Sequence, residues 1–395
     1  MPTPFIRLAK AGALALPLVL GLAMGAASPA SAKGCEDLAA GRCKVKLPGG
    51  ITMAYVETGP KDGPAVLLIH GLTDNIRSWS TTMAALHKRD PGLHILAMDL
   101  RGHGQTSMPP RAACSPAPEK CFRTSDFAGD IVAFMKAKKI AKATLAGHSL
   151  GSFVTQEVAL EHPELVERAV LVASSTKGVD NVALRDYVLK EPVEGSWKKA
   201  LEAKGWKYPA GFYMLTPLKA DPKAEDWIAK NWVVDPAADP AFLKPYVPET
   251  ANVRLGTWIG ASKALLATDN TERLKGFSVP VLVLWATQDS IFLEADQAWL
   301  KQSLGEAAKT KGIPAFWKRY GVIPLPASGA QVSDIGHNVQ WGAPDAVAAD
   351  IEAFIKTGAP TSDLLHSDKP PALDHIVTEP GKAEVIKLGQ PATGN

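Results

Sequence analysis

Short apolar runs recur along most of the chain, each too short for a buried helix and each set apart by a longer stretch of helical character. The runs are Ile51–Glu57, Ala65–His70, His94–Met98, Ala143–His148, Arg168–Ala173, Val281–Ala286 and a weaker Ala315–Val322. The helical stretches are Ser78–Lys88, Ser125–Lys138, Ser152–Glu161, Glu294–Ser303 and Pro344–Lys356. Strands alternating with helices predict an α/β fold, a mostly parallel sheet covered on both faces. A hairpin-like pair near Cys43–Leu47 and Ile51–Glu57 adds antiparallel edge strands. One interval breaks the rhythm. Between Ser175 and Val281 roughly a hundred residues carry no strong strand signal, far more than a crossover needs. Half of the ten tryptophans fall there (Trp197, Trp206, Trp227, Trp232 and Trp258). We read Gly178–Phe277 as an inserted helical cap whose aromatics build its own core and present an apolar underside to the sheet.

The ends of the chain read differently. Arg7 and Lys10 precede an apolar run, Ala11 to Ala26, and Ala30 and Ala32 offer an A-x-A cleavage site. Residues 1–32 are therefore expected to be a cleaved export signal. The run is broken by Pro17 and falls short of the ~20 residues of a membrane span, so no stable anchor is expected. After Lys356 the sequence turns polar and rich in Pro and Gly, which predicts an extended tail over 358–395. The expected organisation is a leader (1–32), a first core part (33–177), the cap (178–277), a second core part (278–357) and the tail.

Export changes how the cysteines read. In an oxidising compartment, two local disulfides, Cys35–Cys43 and Cys114–Cys121, are the simplest of three connectivities. Their spacing is not that of a zinc site, and no metal or organic cofactor is implied. With 43 Lys and Arg against 40 Asp and Glu the formal charge is +3. Loss of the leader removes two of those positive charges and no acid, leaving +1. No basic block stands out, so a small molecule is the expected partner and nucleic acid is not. The oligomeric state is left open.

The most specific local signal is Gly147-His148-Ser149-Leu150-Gly151, between an apolar strand and a helix. This is the context of a G-x-S-x-G elbow, a turn that lifts a serine hydroxyl to the carboxyl edge of a sheet. The nucleophile then needs a base, and the base an orienting acid, in the chain order serine, acid, histidine. His337, in a loop before the last helix, fits the base; His366 and His375 sit in the tail. Asp289 follows the run Val281–Ala286 and fits the acid. Asp180 is the runner-up, and Asp334 is too close to His337 in sequence. Two backbone N–H groups should form an oxyanion hole: Leu150, after the nucleophile, and Leu72, in the loop after Ala65–His70.

These segments resemble the α/β-hydrolase superfamily. His70-Gly71-Leu72 with Ser78-Trp79 looks like its oxyanion loop and first helix. Asp99-Leu100-Arg101-Gly102-His103-Gly104 looks like its D-x-R-G-x-G turn, where the resemblance implies that Asp99 and His103 are mainly structural or pocket-edge groups and not catalytic. The elbow, the acid strand and Ile335-Gly336-His337 follow in order, so that the resemblance spans roughly residues 50 to 356, most like the capped esterase, haloperoxidase-like and C–C-hydrolase branch. Departures are Ala286 where relatives often carry Gly, a longer Gly305–Asp334 stretch, and the Cys114/Cys121 pair.

A serine at the elbow sets the chain apart from relatives with a carboxylate nucleophile, the haloalkane dehalogenases and epoxide hydrolases. The expectation is an exported, periplasmic or secreted serine hydrolase of carboxylic esters with a small, apolar acyl or alcohol part. Lactone, amide or C–C bond hydrolysis on the same triad is the alternative. A ligand-sensing protein on a hydrolase fold is the alternative of another class.

Overall fold

The computed structural model describes residues 35, 38, 41–232, 239–320, 335–361 and 385–389. The proposed leader (1–32), Asp334, His366 and His375 lie outside them. The strands are β1 (Cys43–Lys46), β2 (Thr52–Thr58), β3 (Ala65–Ile69), β4 (His94–Met98), β5 (Ala143–His148), β6 (Val166–Val172), β7 (Val281–Ala286), β8 (Ala315–Tyr320) and β9 (Val385–Lys387). They form one sheet in the order β1-β2-β4-β3-β5-β6-β7-β8-β9. All neighbours from β4 to β8 run parallel. The pairs β1–β2, β2–β4 and β8–β9 are antiparallel.

Near-continuous apolar strands fit a sheet buried on both faces, because successive side chains point to opposite sides. Val66, Leu68, Ile95, Val170 and Leu282 face the helices Ser80–Arg89 and Pro344–Thr357 through Trp79, Leu86, Val347 and Phe354. Leu67, Ile69, Leu145, Leu171 and Val283 face the helices Thr124–Lys138, Leu150–Glu161 and Glu294–Lys311 through Phe127, Phe134, Phe153 and Leu300. The strand order reverses around β3, which lies between β4 and β5. Loops leaving β3 and β5 therefore diverge to opposite faces and leave a crevice at their carboxyl ends.

The interval between β6 and β7 is helical throughout its described elements, among them a π-helical stretch Ala183–Val193 and the helices Ser196–Glu202, Pro240–Ala251 and Leu255–Leu266. Its aromatics pack on one another: Trp197 lies 5.4 Å from Trp258 and 5.5 Å from Trp227, ring centre to ring centre. Trp341, from the sheet portion, sits 4.8 Å from Tyr246 and 4.9 Å from Phe242, fastening the cap above the sheet.

Two expectations are corrected. The helix after β7 does not stop near Ser303 but runs to Lys311, ending on left-handed Gly312 (φ 66°). The buried Gly305 inside it does not break it, since packing outweighs the ~1 kcal/mol propensity cost of one glycine. Residues 305–320 of the supposed insertion thus complete a helix and β8; residues 321–334, with the run Ile323–Pro326, lie outside the described part. Within the expected extended tail, one described stretch joins the sheet. Val385–Lys387 adds β9 to the edge of β8, whose unpaired backbone groups are a template for a further strand. Both expected disulfides are present, with Cα separations of 5.2 Å (Cys35–Cys43) and 5.6 Å (Cys114–Cys121). Among the described residues no helix is long and apolar enough to cross a membrane.

Candidate active site

Ser149 stands between β5 and the helix Leu150–Glu161 with φ 51° and ψ −119°, a conformation costly for a residue with a side chain. Neighbouring backbone holds it there. Its N–H donates to the Val172 carbonyl (3.0 Å), and its carbonyl accepts from Ser152 N–H (2.8 Å). The flanking glycines are required by space. A Cβ on Gly147 would lie 2.1 Å from the Gly151 carbonyl oxygen, and one on Gly151 2.3 Å from that of Ile69. The helix N-terminus beside Ser149 presents N–H groups without intrahelical acceptors and favours negative charge nearby.

Asp289 and His337 come together from segments 48 residues apart. Asp289 sits in the turn after β7, where its Oδ1 accepts from Ile291 N–H (2.9 Å) and Phe292 N–H (3.0 Å). The same oxygen accepts from His337 Nδ1 at 2.9 Å. A proton fixed on Nδ1 leaves the lone pair of the neutral imidazole on Nε2. Both side chains are buried. Ser149 and His337 line one small cavity together with Leu72, Asp74, His148, Trp232, Tyr246, Ile291 and Asn338. Asp180 lies elsewhere, exposed and in a left-handed conformation (φ 62°), on the wall of a larger outer pocket.

Leu72 and Leu150 take different places. Leu72 lines the cavity, whereas the Leu150 side chain is buried in the core and only its main chain is near the elbow. The loop carrying Leu72 is tied down from below and above. His70 donates from Nδ1 to the Gly71 carbonyl (2.8 Å) and accepts the Leu100 N–H at Nε2 (2.9 Å). Burial, reinforced by nearby His103, holds the His70 imidazole well below its ordinary pKa and so neutral. From the cap, Trp232 Nε1 donates to Thr73 Oγ1 (2.8 Å), and that hydroxyl donates to the Leu72 carbonyl (2.7 Å). Asp99 binds the Ile76 and Gln105 N–H groups (2.9 and 2.8 Å), and His103 donates to the Arg101 carbonyl (2.9 Å). These are scaffold contacts.

Sequence reasoning missed four residues. His148 Nε2 donates to the His337 carbonyl (3.0 Å), so the residue beside the serine fixes the backbone of the histidine. Burial and the neighbouring His337 keep it well below its ordinary pKa. An imidazole at the end of a strand whose one other polar side chain is Thr144 was the available signal. Asp74 places a carboxyl in the cavity, bonded by Asn75 N–H (2.7 Å) and by the Tyr246 hydroxyl; burial pushes its pKa up to about 7. Standing between Thr73 and Asn75, it reads in the sequence as an ordinary polar loop residue. Tyr246 and Trp232 reach the cavity from the cap, and nothing local in the sequence marked them out among twelve cap aromatics.

Residues 64–321 match the model of a family described as alpha/beta hydrolase fold. An uncharacterized protein of Mycobacterium tuberculosis is 38% identical over 122 residues, 30% of this chain, so the match spans about a third (32%) of that relative's length. The 3-oxoadipate enol-lactonase 2 of Acinetobacter baylyi is 24% identical over 63% of this chain and 80% of its own. Among solved structures, an esterase from Exiguobacterium antarcticum superposes with a TM-score of 0.56 at 14% identity, covering 80% of this chain and 99% of that one, a likeness of fold.

Proposed function

The chain belongs to the alpha/beta hydrolase fold family, and from that premise we propose that it is an exported serine hydrolase of carboxylic esters. The observation that carries this reading is the meeting of Ser149 and His337 in one cavity, with His337 Nδ1 held by Asp289 at 2.9 Å. In the proposed mechanism Ser149 Oγ attacks the ester carbonyl while His337 Nε2 takes its proton. Asp289 stabilises the imidazolium that forms. The N–H groups of Leu72 and Leu150 receive the tetrahedral oxyanion. His337 then protonates the departing alcohol, and water, deprotonated by the same imidazole, releases the acyl group. The two disulfides and the apolar segment Ala11 to Ala26 support export. A small-molecule substrate is the proposed partner.

The same groups can open a lactone, and the likeness to an enol-lactonase favours including that substrate class in the test. Ser149→Ala should abolish hydrolysis of p-nitrophenyl acyl esters and labelling by a fluorophosphonate probe, while the circular dichroism spectrum stays that of the wild type. Full turnover in the variant would overturn the assignment. Saturable binding of esters without product would instead favour a sensor.

A further inference from the structure

Two volumes meet beside Ser149, and they differ greatly. The cavity holding Ser149 and His337 measures about 20 Å³, room for a group the size of one water or a methyl. Next to it an outer pocket of about 550 Å³, within the range of small-molecule sites, lies between the cap stretch Ala183–Val193 and the turn after β7. Its walls include Val188, Tyr187, Trp227 and Leu293. Trp232 and Ile291 line both volumes, so the junction runs between these two side chains. The outer pocket is open to solvent: Tyr187 is 69% exposed, Leu293 54% and Val182 53%. Around Ser149 the lining side chains are buried, apart from Trp232 at the junction, which is partly exposed.

Building on the serine-hydrolase reading, we propose that the preferred substrates are short-acyl esters of bulky apolar alcohols, and that Trp232 and Ile291 are the specificity-determining residues that impose this division. The chemistry assigns the two halves. The acyl carbon bonds to Ser149 Oγ and stays through the intermediate, so its substituent occupies the closed cavity. The alcohol leaves before water attacks, so it belongs on the open side. Trp232 does more than bound the space. Its indole N–H anchors Thr73, a residue at φ 56° on the loop that carries Leu72. An alcohol seated against Trp232 therefore presses on the support of the oxyanion donor. Trp258, 5.9 Å away ring to ring, backs the indole.

The test compares 2-phenylethyl acetate with 2-phenylethyl hexanoate, and 2-phenylethyl acetate with ethyl acetate. The two alcohols have similar acidity, so the second pair reads binding and not leaving-group ability. The wild type should prefer acetate over hexanoate in kcat/KM by about tenfold or more, and 2-phenylethyl over ethyl by a similar factor through KM. Trp232→Ala should shrink the acetate preference by joining the volumes. Ile291→Ala should act in the same direction from the opposite wall, which keeps the test valid if the tryptophan variant does not fold. Trp232→Phe keeps the wall but loses the N–H, so kcat should fall on both acyl lengths with their ranking unchanged. Turnover with hexanoate equal to or faster than acetate overturns the division while leaving the serine-hydrolase reading intact. So does an acetate preference that survives both alanine variants. Absence of turnover with every ester overturns both.

Discussion

At Asp74, burial and hydrogen bonding pull one carboxyl in opposite directions. Burial disfavours the charge; the N–H groups of Asn75 and Gly71 and the hydroxyl of Tyr246 favour it, and burial prevails, with a pKa of about 7 against an ordinary 3.8. The folded chain thus keeps a proton that the unfolded chain releases near pH 4. The resulting stabilisation is fully present below about pH 4 and is lost as pH rises to about 7. Asp74→Asn should therefore flatten the fall in stability between pH 4 and 7 by an amount on the order of a few kcal/mol. Urea midpoints measured across that range for both proteins would check it, and parallel curves would refute it. His148 teaches the same lesson about single residues. The spacing of the elbow is readable in the sequence, but the bond from His148 to the His337 carbonyl joins segments 189 residues apart and leaves no local trace.

Between elements, one guanidinium joins three of them. Arg42, just before β1, donates to Asp99 after β4 (2.9 Å), to Asn75 in the loop after β3 (3.3 Å) and to Glu249 on the cap helix Pro240–Ala251 (3.2 Å). Arg77 grips the same Glu249 with two bonds, at 2.7 and 3.1 Å. Arg42 and Asp99 are almost wholly buried, whereas Glu249 is 31% exposed. Removing one partner of a buried pair strands the other, so Arg42→Ala should cost about 3–5 kcal/mol of stability. Glu249→Gln, at the wet end of the network, should cost no more than about 1 kcal/mol. Chemical denaturation of the two variants would test this contrast; equal losses would contradict it. The strands and helices themselves were legible because each is built on a local apolar period. This clasp was not, because an arginine before a strand reads as an ordinary solvated charge until the cap closes over it.

For the molecule as a whole, the two disulfides constrain the chain close to the places where the clasp and the D-x-R-G-x-G turn are held. Each closes a loop of separation 8 or 7 and should contribute about 2–3 kcal/mol, chiefly by restricting the unfolded state. Replacing Cys114 and Cys121 by Ser should lower unfolding stability by that amount in urea titrations without reductant. An unchanged midpoint would show the bridge to be dispensable. The parallel sheet, the helices on both faces, the elbow glycines around Ser149 and the order of Ser149, Asp289 and His337 could all be read from the sequence. The first three rest on short-range rules of apolar period and turn sterics, whereas the order of the three site residues rests on the resemblance to the hydrolase superfamily. Only the tertiary structure decided that β3 lies between β4 and β5, that Val385–Lys387 returns to extend the sheet, and that Trp232, Tyr246 and Asp74 share the cavity with Ser149. Those outcomes depend on which surfaces meet after the chain has collapsed, and contacts between residues tens to hundreds of positions apart impose no period that a linear reading can detect.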